Sequence, residues 1–421
     1  MTSLIFYITL FSFAIIVYVY IGYPIVLKIL SVTTKKQELL FDDTYLPEVT
    51  LLISCYNEAE VVDEKIQNSL AIDYPNDKLT IIIISDGSDD GTDEIAKSYS
   101  SQNIKLIRQE GRLGKTSAIN LAMKEVTSEI VVFSDANAMY TPNAIKKLVR
   151  NFADKKVGYV VGAALYTDGK TSSAAASEDI YWKYELALKT MESNLHSVVG
   201  GDGAIYSIRK SLFITMDAKD INDFVNPLQI IEQGYRGVFE PEAICLEETA
   251  GDFTKEAKRK QRIVNRSFRG LMKVKAILNP FKYGFFSFEV ISHKLLRWLM
   301  PIFIVAFSLG SLSLSYKNIY TFQFITLLGI IFLWLAQIGF LNSKKTQLSP
   351  IFFIPYYFLM VNYYSLLGVI SALAGNIQVT WSTPRATNKD NSKLSNKTRA
   401  ILILWNTIML FVFYDIYQIL N

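Results

Sequence analysis

Charge placement constrains this chain more than any other feature: it is absent from long apolar stretches near both ends and gathered between Glu38 and Arg297. Residues 4–26 carry no charge and are long enough to cross a bilayer, with Lys28, Lys35 and Lys36 behind them. Basic flanks stay on the cytoplasmic side, so the next segment is expected in the cytoplasm, most simply inside a bacterial plasma membrane. A cleaved signal peptide would need a basic start, a shorter apolar core and a small-residue cleavage site; none is evident, so 1–30 reads as a retained anchor. Past the basic run 255–275, residues 298–316 and 319–341 read as two spans joined by a short turn. Residues 351–374 are as long, but Lys344 and Lys345 on one side and Arg385, Lys389 and Lys393 on the other ask for both flanks in the cytoplasm. That favours an interfacial or re-entrant segment. Residues 401–414 are short for a span and Asp415 interrupts them, so they either cross or lie in the interface. With half of 421 residues apolar and a net charge of +4, the balance offers no nucleic-acid footprint. Cys55 and Cys245 form neither a metal-ligand spacing nor a disulfide framework, and His196 and His293 are far apart; all four read as structural.

Between the anchors, strands alternate with amphipathic helices, the pattern of a mostly parallel sheet covered on both faces. Strands are expected at 49–54, 79–85, 104–108 and 130–134, with another at 157–164, and helices at 58–70, 92–99, 116–124 and 142–152. Pro142 suits a first helical turn with Thr141 as its cap. Residues 174–195 form a long helix bearing Tyr181, Trp182 and Tyr184, a stripe that reads as packing before it reads as a sugar platform.

The strand ends carry the chemistry. Asp135 and Asn137 follow the fourth strand two residues apart, where ligands sit in open α/β sheets. Two such oxygens can share one hard cation, Mg²⁺ or Mn²⁺, which neutralises a diphosphate; the plain alternative is a turn or helix cap. The first strand runs into Tyr56-Asn57-Glu58 and the second into Asp86-Gly87-Ser88, both at the same edge. Gly111 to Lys115 suggests a phosphate-cradling loop, but the first glycine of that pattern would fall on Gln109, so the pattern fails; Lys115 still supplies a cation for a nucleotide.

The ordered set Tyr56-Asn57-Glu58, Asp86-Gly87-Ser88, Gly114-Lys115 and Ser134-Asp135-Ala136-Asn137 resembles the membrane-bound family 2 glycosyltransferases of exopolysaccharide and glycan synthesis. The likeness continues through 201–209, Asn222-Asp223-Phe224 and 234–243, covering about 49–269. It implies an α/β, Rossmann-like GT-A domain in the cytoplasm, flanked by N- and C-terminal transmembrane or interfacial helices. The chain then divides into the anchor 1–30, a GT-A domain 47–254, basic interfacial helices 255–297, transmembrane or re-entrant helices 298–374, a basic segment 375–399 and a hydrophobic end 400–421.

Carried over residue by residue, the resemblance implies that Asp86 contacts the nucleoside, Asp135 the nucleotide and its metal, and Asp223 acts as general base. It places Gly203 and Ala204 in the acceptor pocket, and makes Tyr56, Asn57, Glu58 and Lys115 further donor contacts. Two departures stand out: Asn137 replaces a second metal-motif Asp, and residues 261–266 lack the register of the Gln-x-x-Arg-Trp motif of processive synthases. Arg262 and Arg266 instead share one helical face, suited to a departing diphosphate or, alternatively, to anionic lipid headgroups. Residues 378–385, with Trp381 and Arg385, resemble the segment that closes such enzymes at the cytoplasmic surface. The expected activity is inverting transfer from a nucleotide sugar, a UDP-sugar by preference, to a glycan or lipid-linked acceptor among membrane lipids. The rivals are a single-sugar transferase acting on a lipid carrier and an inactive partner of a synthase.

Overall fold

The computed structural model describes residues 2–33, 40–100, 104–169, 171–249, 251–345, 347–377 and 396–420. Eight strands form one sheet in the order β3-β2-β1-β4-β7-β6-β8-β5. They are β1 (Val49–Cys55), β2 (Leu79–Ser85), β3 (Ile104–Arg108), β4 (Ile130–Asp135), β5 (Met139–Tyr140), β6 (Val157–Tyr166), β7 (Tyr206–Arg209) and β8 (Arg236–Glu247). Strands β1 to β4 are parallel, as their apolar runs demand, because both faces of that half are covered. Alternate side chains enter opposite layers: Leu52, Ile82, Val131 and Phe133 on one side, Leu51, Ile53, Ile83 and Val132 on the other.

The other half of the sheet departs from the mostly parallel expectation. β7 runs antiparallel to both β4 and β6, and β5 antiparallel to β8. The β6 glycines explain how the half packs: a Cβ on Gly162 would lie 2.6 Å from the Ala243 carbonyl, so the β6 and β8 backbones close together only over glycine.

The helices in chain order are α1 (Thr2–Val17), α2 (Tyr23–Thr33), α3 (Val62–Leu70), α4 (Thr92–Ser98), α5 (Lys115–Ala122), α6 (Ala144–Val149), α7 (Ser173–Leu195), α8 (Asn222–Glu232) and α9 (Phe253–Lys273). Then follow α10 (Pro280–Tyr283), α11 (Phe285–Val290), α12 (Leu296–Ser315), α13 (Tyr320–Leu341), α14 (Pro350–Leu373) and α15 (Asn396–Leu420). Thr141 is not the cap of α6: its hydroxyl donates to the Ile244 carbonyl at 3.2 Å and the helix starts at Ala144. Among the described residues five helical stretches are long and apolar enough to cross a membrane: 2–33, 285–315, 320–341, 350–373 and 399–419. α14 is one continuous helix through Pro355, as long as the 351–374 stretch implied, whereas α15 runs through Asp415, whose carboxylate accepts from Tyr316 Oη at 3.4 Å.

A buried ionic knot joins the sheet domain to these helices. The ring of His293 lies between Glu192 (2.6 Å) and Glu185 (2.8 Å), and Lys294 and Arg297 also reach Glu185 at 2.6 and 2.9 Å. Tyr23 of α2 donates to the same Glu192 at 2.7 Å. Against the upward push of burial, His293, Lys294 and Arg297 hold the Glu185 carboxyl well below the usual range.

Candidate active site

The parallel register sets the site. Ser54 pairs with Asp135 and Cys55 with Ser85, so the loops after β1, β2 and β4 leave the same sheet edge side by side. Asn57 takes a left-handed conformation (φ 54°), which an Asn tolerates, and braces the next loop: its amide donates to Asp89 at 2.8 Å and accepts from the Asp89 backbone at 3.1 Å. Tyr56 lies under the Arg112 guanidinium, 3.9 Å from ring centre to carbon, and the Glu58 backbone donates to Thr92.

Asp86 is fully buried and holds the 109–114 loop against this edge of the sheet. Its carboxylate accepts from the backbone amides of Leu113 and Gly114 at 2.9 Å and from the side chain of Gln109. Burial raises its pKa while those donors and Arg112 pull it down. Gly87 takes a positive φ against Gly111, where a Cβ would meet backbone at 2.8 Å, so the two loops approach closely only over glycine.

On the other side of Asp135 lies a cavity of about 590 Å³ between the sheet domain and the membrane helices. At its inner end three functional groups converge. A Cβ placed on Gly203 would lie 3.2 Å from Asp223 Oδ2 and 3.4 Å from both Asp135 Oδ2 and Lys115 Nζ. Asp135 Oδ1 is paired with Lys115. Asp223 stands in the first turn of α8 with Oδ1 buried and without a hydrogen-bond partner among the described residues. Burial raises the Asp223 carboxyl above its ordinary range, and Asp202 and Asp135 add to this against Lys115 and Arg266. Ala204 is buried beside Gly203, with its carbonyl accepting from Tyr140 Oη at 3.0 Å.

The two arginines of α9 differ in use. Both line the cavity, and the Arg262 guanidinium makes no hydrogen bond among the described residues. Arg266 is buried and donates to the Asp220 and Lys219 carbonyls and to Thr116 Oγ1 at 3.3 Å, so it ties α9 to the 218–220 loop and to α5. Burial and the neighbouring Arg262 push it down to about 10. The sequence reading treated the pair as one clamp; the structure leaves Arg262 facing the cavity and gives Arg266 a bracing task. Trp381 and Arg385 lie outside the described residues.

No group of three His, Cys, Asp or Glu side chains among the described residues could hold a metal ion. Asp135, which lines the cavity, and Asn137 are both partly exposed and are the two oxygen-bearing side chains that would hold a cation here. That donor set fits Mg²⁺ or Mn²⁺, which need few protein carboxylates when phosphates are present.

The comparisons agree with this geometry. Residues 50–215 match the model of the family described as Glycosyl transferase family 2. The chain carries a family 2 glycosyltransferase domain. Poly-beta-1,6-N-acetyl-D-glucosamine synthase of Staphylococcus aureus (strain COL) is 28% identical over 256 residues, 57% of this chain and 61% of the relative. The synthase of the same name from Staphylococcus epidermidis is 24% identical over 243 residues, 54% of this chain and 58% of the relative. The chain thus matches about three-fifths of these relatives' length, 61% for the first. A mannosyltransferase from Pyrobaculum calidifontis, solved with GDP-Man and Mn²⁺, superposes with a TM-score of 0.64 at 21% identity over 87% of this chain and 99% of its own. The glycosyltransferase domain therefore has the GT-A fold, as the ordered motifs implied.

Sequence reasoning missed Glu247 and the Lys189–Asp202 pair (3.2 Å), all of which line the cavity. Burial, with Asp135 and Asp202 facing it, pushes Glu247 up to about 8. Its signal was hidden because β8, interrupted by Glu240-Pro241-Glu242, has no alternation to read.

Proposed function

We propose that this chain is an inverting glycosyltransferase that moves a sugar from a UDP-sugar to a glycan or lipid-linked acceptor at the cytoplasmic face of a bacterial plasma membrane. The convergence of Asp223, Asp135 and Lys115 around Gly203 carries this reading. Transfer builds negative charge on the leaving diphosphate and positive charge at the anomeric carbon. Lys115 and Arg262 supply cations for the diphosphate, and Asp86, through the 109–114 loop, shapes the nucleoside side. A divalent cation held by Asp135 and Asn137 supplies further neutralisation of the diphosphate when bound. Asp223, with one oxygen unpaired, accepts the proton of the attacking acceptor hydroxyl. Attack of that hydroxyl on the anomeric carbon from the face opposite the leaving diphosphate, in one displacement with Asp223 taking only the proton, gives inversion, hence a β-linkage from a UDP-α-sugar.

The names of the staphylococcal relatives make UDP-N-acetylglucosamine the first donor to test and exopolysaccharide synthesis the setting. Residues of the membrane helices, Tyr20, Ile354, Tyr357 and Phe358, line the same cavity, which also favours a second reading in which one sugar is placed on a lipid carrier. Nucleotide release by the detergent-purified chain with Mn²⁺ or Mg²⁺, across a panel of nucleotide sugars and with sizing of the labelled product, separates the two. A long polymer supports the synthase and a single sugar on lipid the second reading; a chain that binds UDP-sugars but transfers nothing to either acceptor contradicts both.

A further inference from the structure

Of the acidic side chains in the cavity wall that the proposed chemistry leaves unused, Glu247 is the one with neither a salt bridge nor a hydrogen bond to its carboxyl among the described residues. Glu247 is the last residue of β8, opposite Tyr166 of β6, and its neighbour Leu246 stands opposite Met139 just past the Asp135 loop. Its backbone is fixed by the Thr167 amide, which donates to the Glu247 carbonyl at 3.0 Å. The side chain lines the cavity, and its carboxylate makes no hydrogen bond among the described residues. The surrounding acids differ: Asp135 is paired with Lys115, Asp202 with Lys189 and Glu178 with Arg259.

The same wall carries Trp182, whose indole N–H donates to the Ala164 carbonyl at 2.6 Å and whose ring therefore cannot turn freely. Buried Lys189 sits 4.7 Å from the indole centre and salt-bridges Asp202, fixing ring and carboxylate in one unit. We propose that Glu247, Trp182 and the Lys189–Asp202 pair form a subsite for a pyranose ring. A carboxylate with both oxygens unengaged matches neighbouring sugar hydroxyls, and a fixed aromatic ring matches the apolar C–H surface of the sugar.

The chemistry excludes the neighbouring alternatives. A phosphate is repelled by the Asp202 carboxylate and attracted to Lys115 and Arg262 instead. A metal is opposed by Lys189 and Arg259 and finds no triad of ligands among the described residues. The packing read for the aromatic stripe holds for the anchored edge of Trp182, while its ring remains part of the cavity wall.

This inference rests on the glycosyltransferase reading, and the ring it holds belongs either to the donor or to the acceptor. The test compares wild type with Glu247→Ala and Glu247→Gln in the full chain, measuring affinities for UDP and UDP-N-acetylglucosamine with Mn²⁺ and the KM of N-acetylglucosamine as acceptor. UDP affinity stays within about twofold in both variants. Loss of about tenfold or more of the affinity that the sugar adds to UDP assigns the donor ring, as expected for a lost hydrogen bond to a charged group. A tenfold rise in acceptor KM with donor affinities unchanged assigns the acceptor ring. Values within twofold of wild type on both measures, in a variant that melts like wild type, overturn the subsite; Glu247→Gln preserves the side-chain size if the alanine variant does not fold. A wild-type chain that binds UDP but gains nothing from the sugar in either measure overturns it too, whereas one that binds no UDP overturns the glycosyltransferase reading itself.

Discussion

Asp135 and Asp223 approach the same point near Gly203, yet of the two Asp135 is the one salt-bridged to Lys115 among the described residues. The difference separates their mutants. Asp135→Ala removes the metal-side ligand, so donor affinity and its Mn²⁺ dependence are expected to fall together, measured by titrating UDP with and without EDTA. Gly203→Ala places a methyl 3.2 Å from the Asp223 carboxylate and 3.4 Å from Asp135 and Lys115. Transfer is expected to drop with little change in melting temperature, since the methyl meets functional groups rather than core. The raised Asp223 carboxyl sets the pH response: the base is deprotonated above its pKa, so transfer rises with pH through an ionisation above the ordinary carboxylate range. A pH–rate profile with its acidic limb at or below the ordinary range would contradict the assignment.

Helix α9 shows how much an element-scale pattern can reveal. Arg262 and Arg266 at i and i+4 share a face, which the spacing states correctly. Spacing does not state that the 218–220 loop folds back to accept from Arg266, because that contact is made between residues far apart in sequence. Arg262→Ala is therefore expected to weaken binding of a UDP-sugar and slow transfer without altering stability. Arg266→Ala removes the hydrogen bonds to the Ala218, Lys219 and Asp220 carbonyls and to Thr116 and loosens the loop before Asp223, lowering both the melting temperature and transfer. Equal melting temperatures for the two variants would contradict the division. The same logic separates the strands: β1, β2 and β4 are mostly apolar runs and β3 a short Ile- and Leu-bearing edge segment, all legible, whereas two-residue β5, four-residue β7 and Pro-bearing β8 acquire their identity from pairing partners. That Asp135, Lys115 and Asp223 belong to one site was legible through motif order, and they do converge near Gly203; Glu247 and Asp202 were not legible, because their relation to Asp135 is made by the sheet.

At the scale of the whole molecule, the histidine that the sequence marked as structural filling is a fastening. His293 and Lys294 carry the membrane-side half of the knot, Glu185 and Glu192 of α7 the domain side, and Tyr23 brings in α2. Removing one partner leaves buried charge uncompensated, which costs about 3–5 kcal/mol. Glu185→Ala is thus expected to lower the melting temperature markedly and to raise protease cleavage between the sheet domain and the membrane helices; unchanged melting would mean the fastening lies elsewhere. Because Glu185, His293 and Arg297 also line the cavity, the joint and the cavity share a wall. Acceptor use therefore depends on the domain staying docked to the membrane helices.

The most direct test of the central claim compares wild type and Asp223→Asn in two readouts: UDP binding, and UDP release from UDP-N-acetylglucosamine with Mn²⁺ and acceptor present. Loss of a positioned general base should leave UDP affinity nearly intact and slow release by about 10²–10⁴-fold. Full release by Asp223→Asn would contradict the account, because the group placed at the convergence of Asp135, Lys115 and Gly203 would then not be the base.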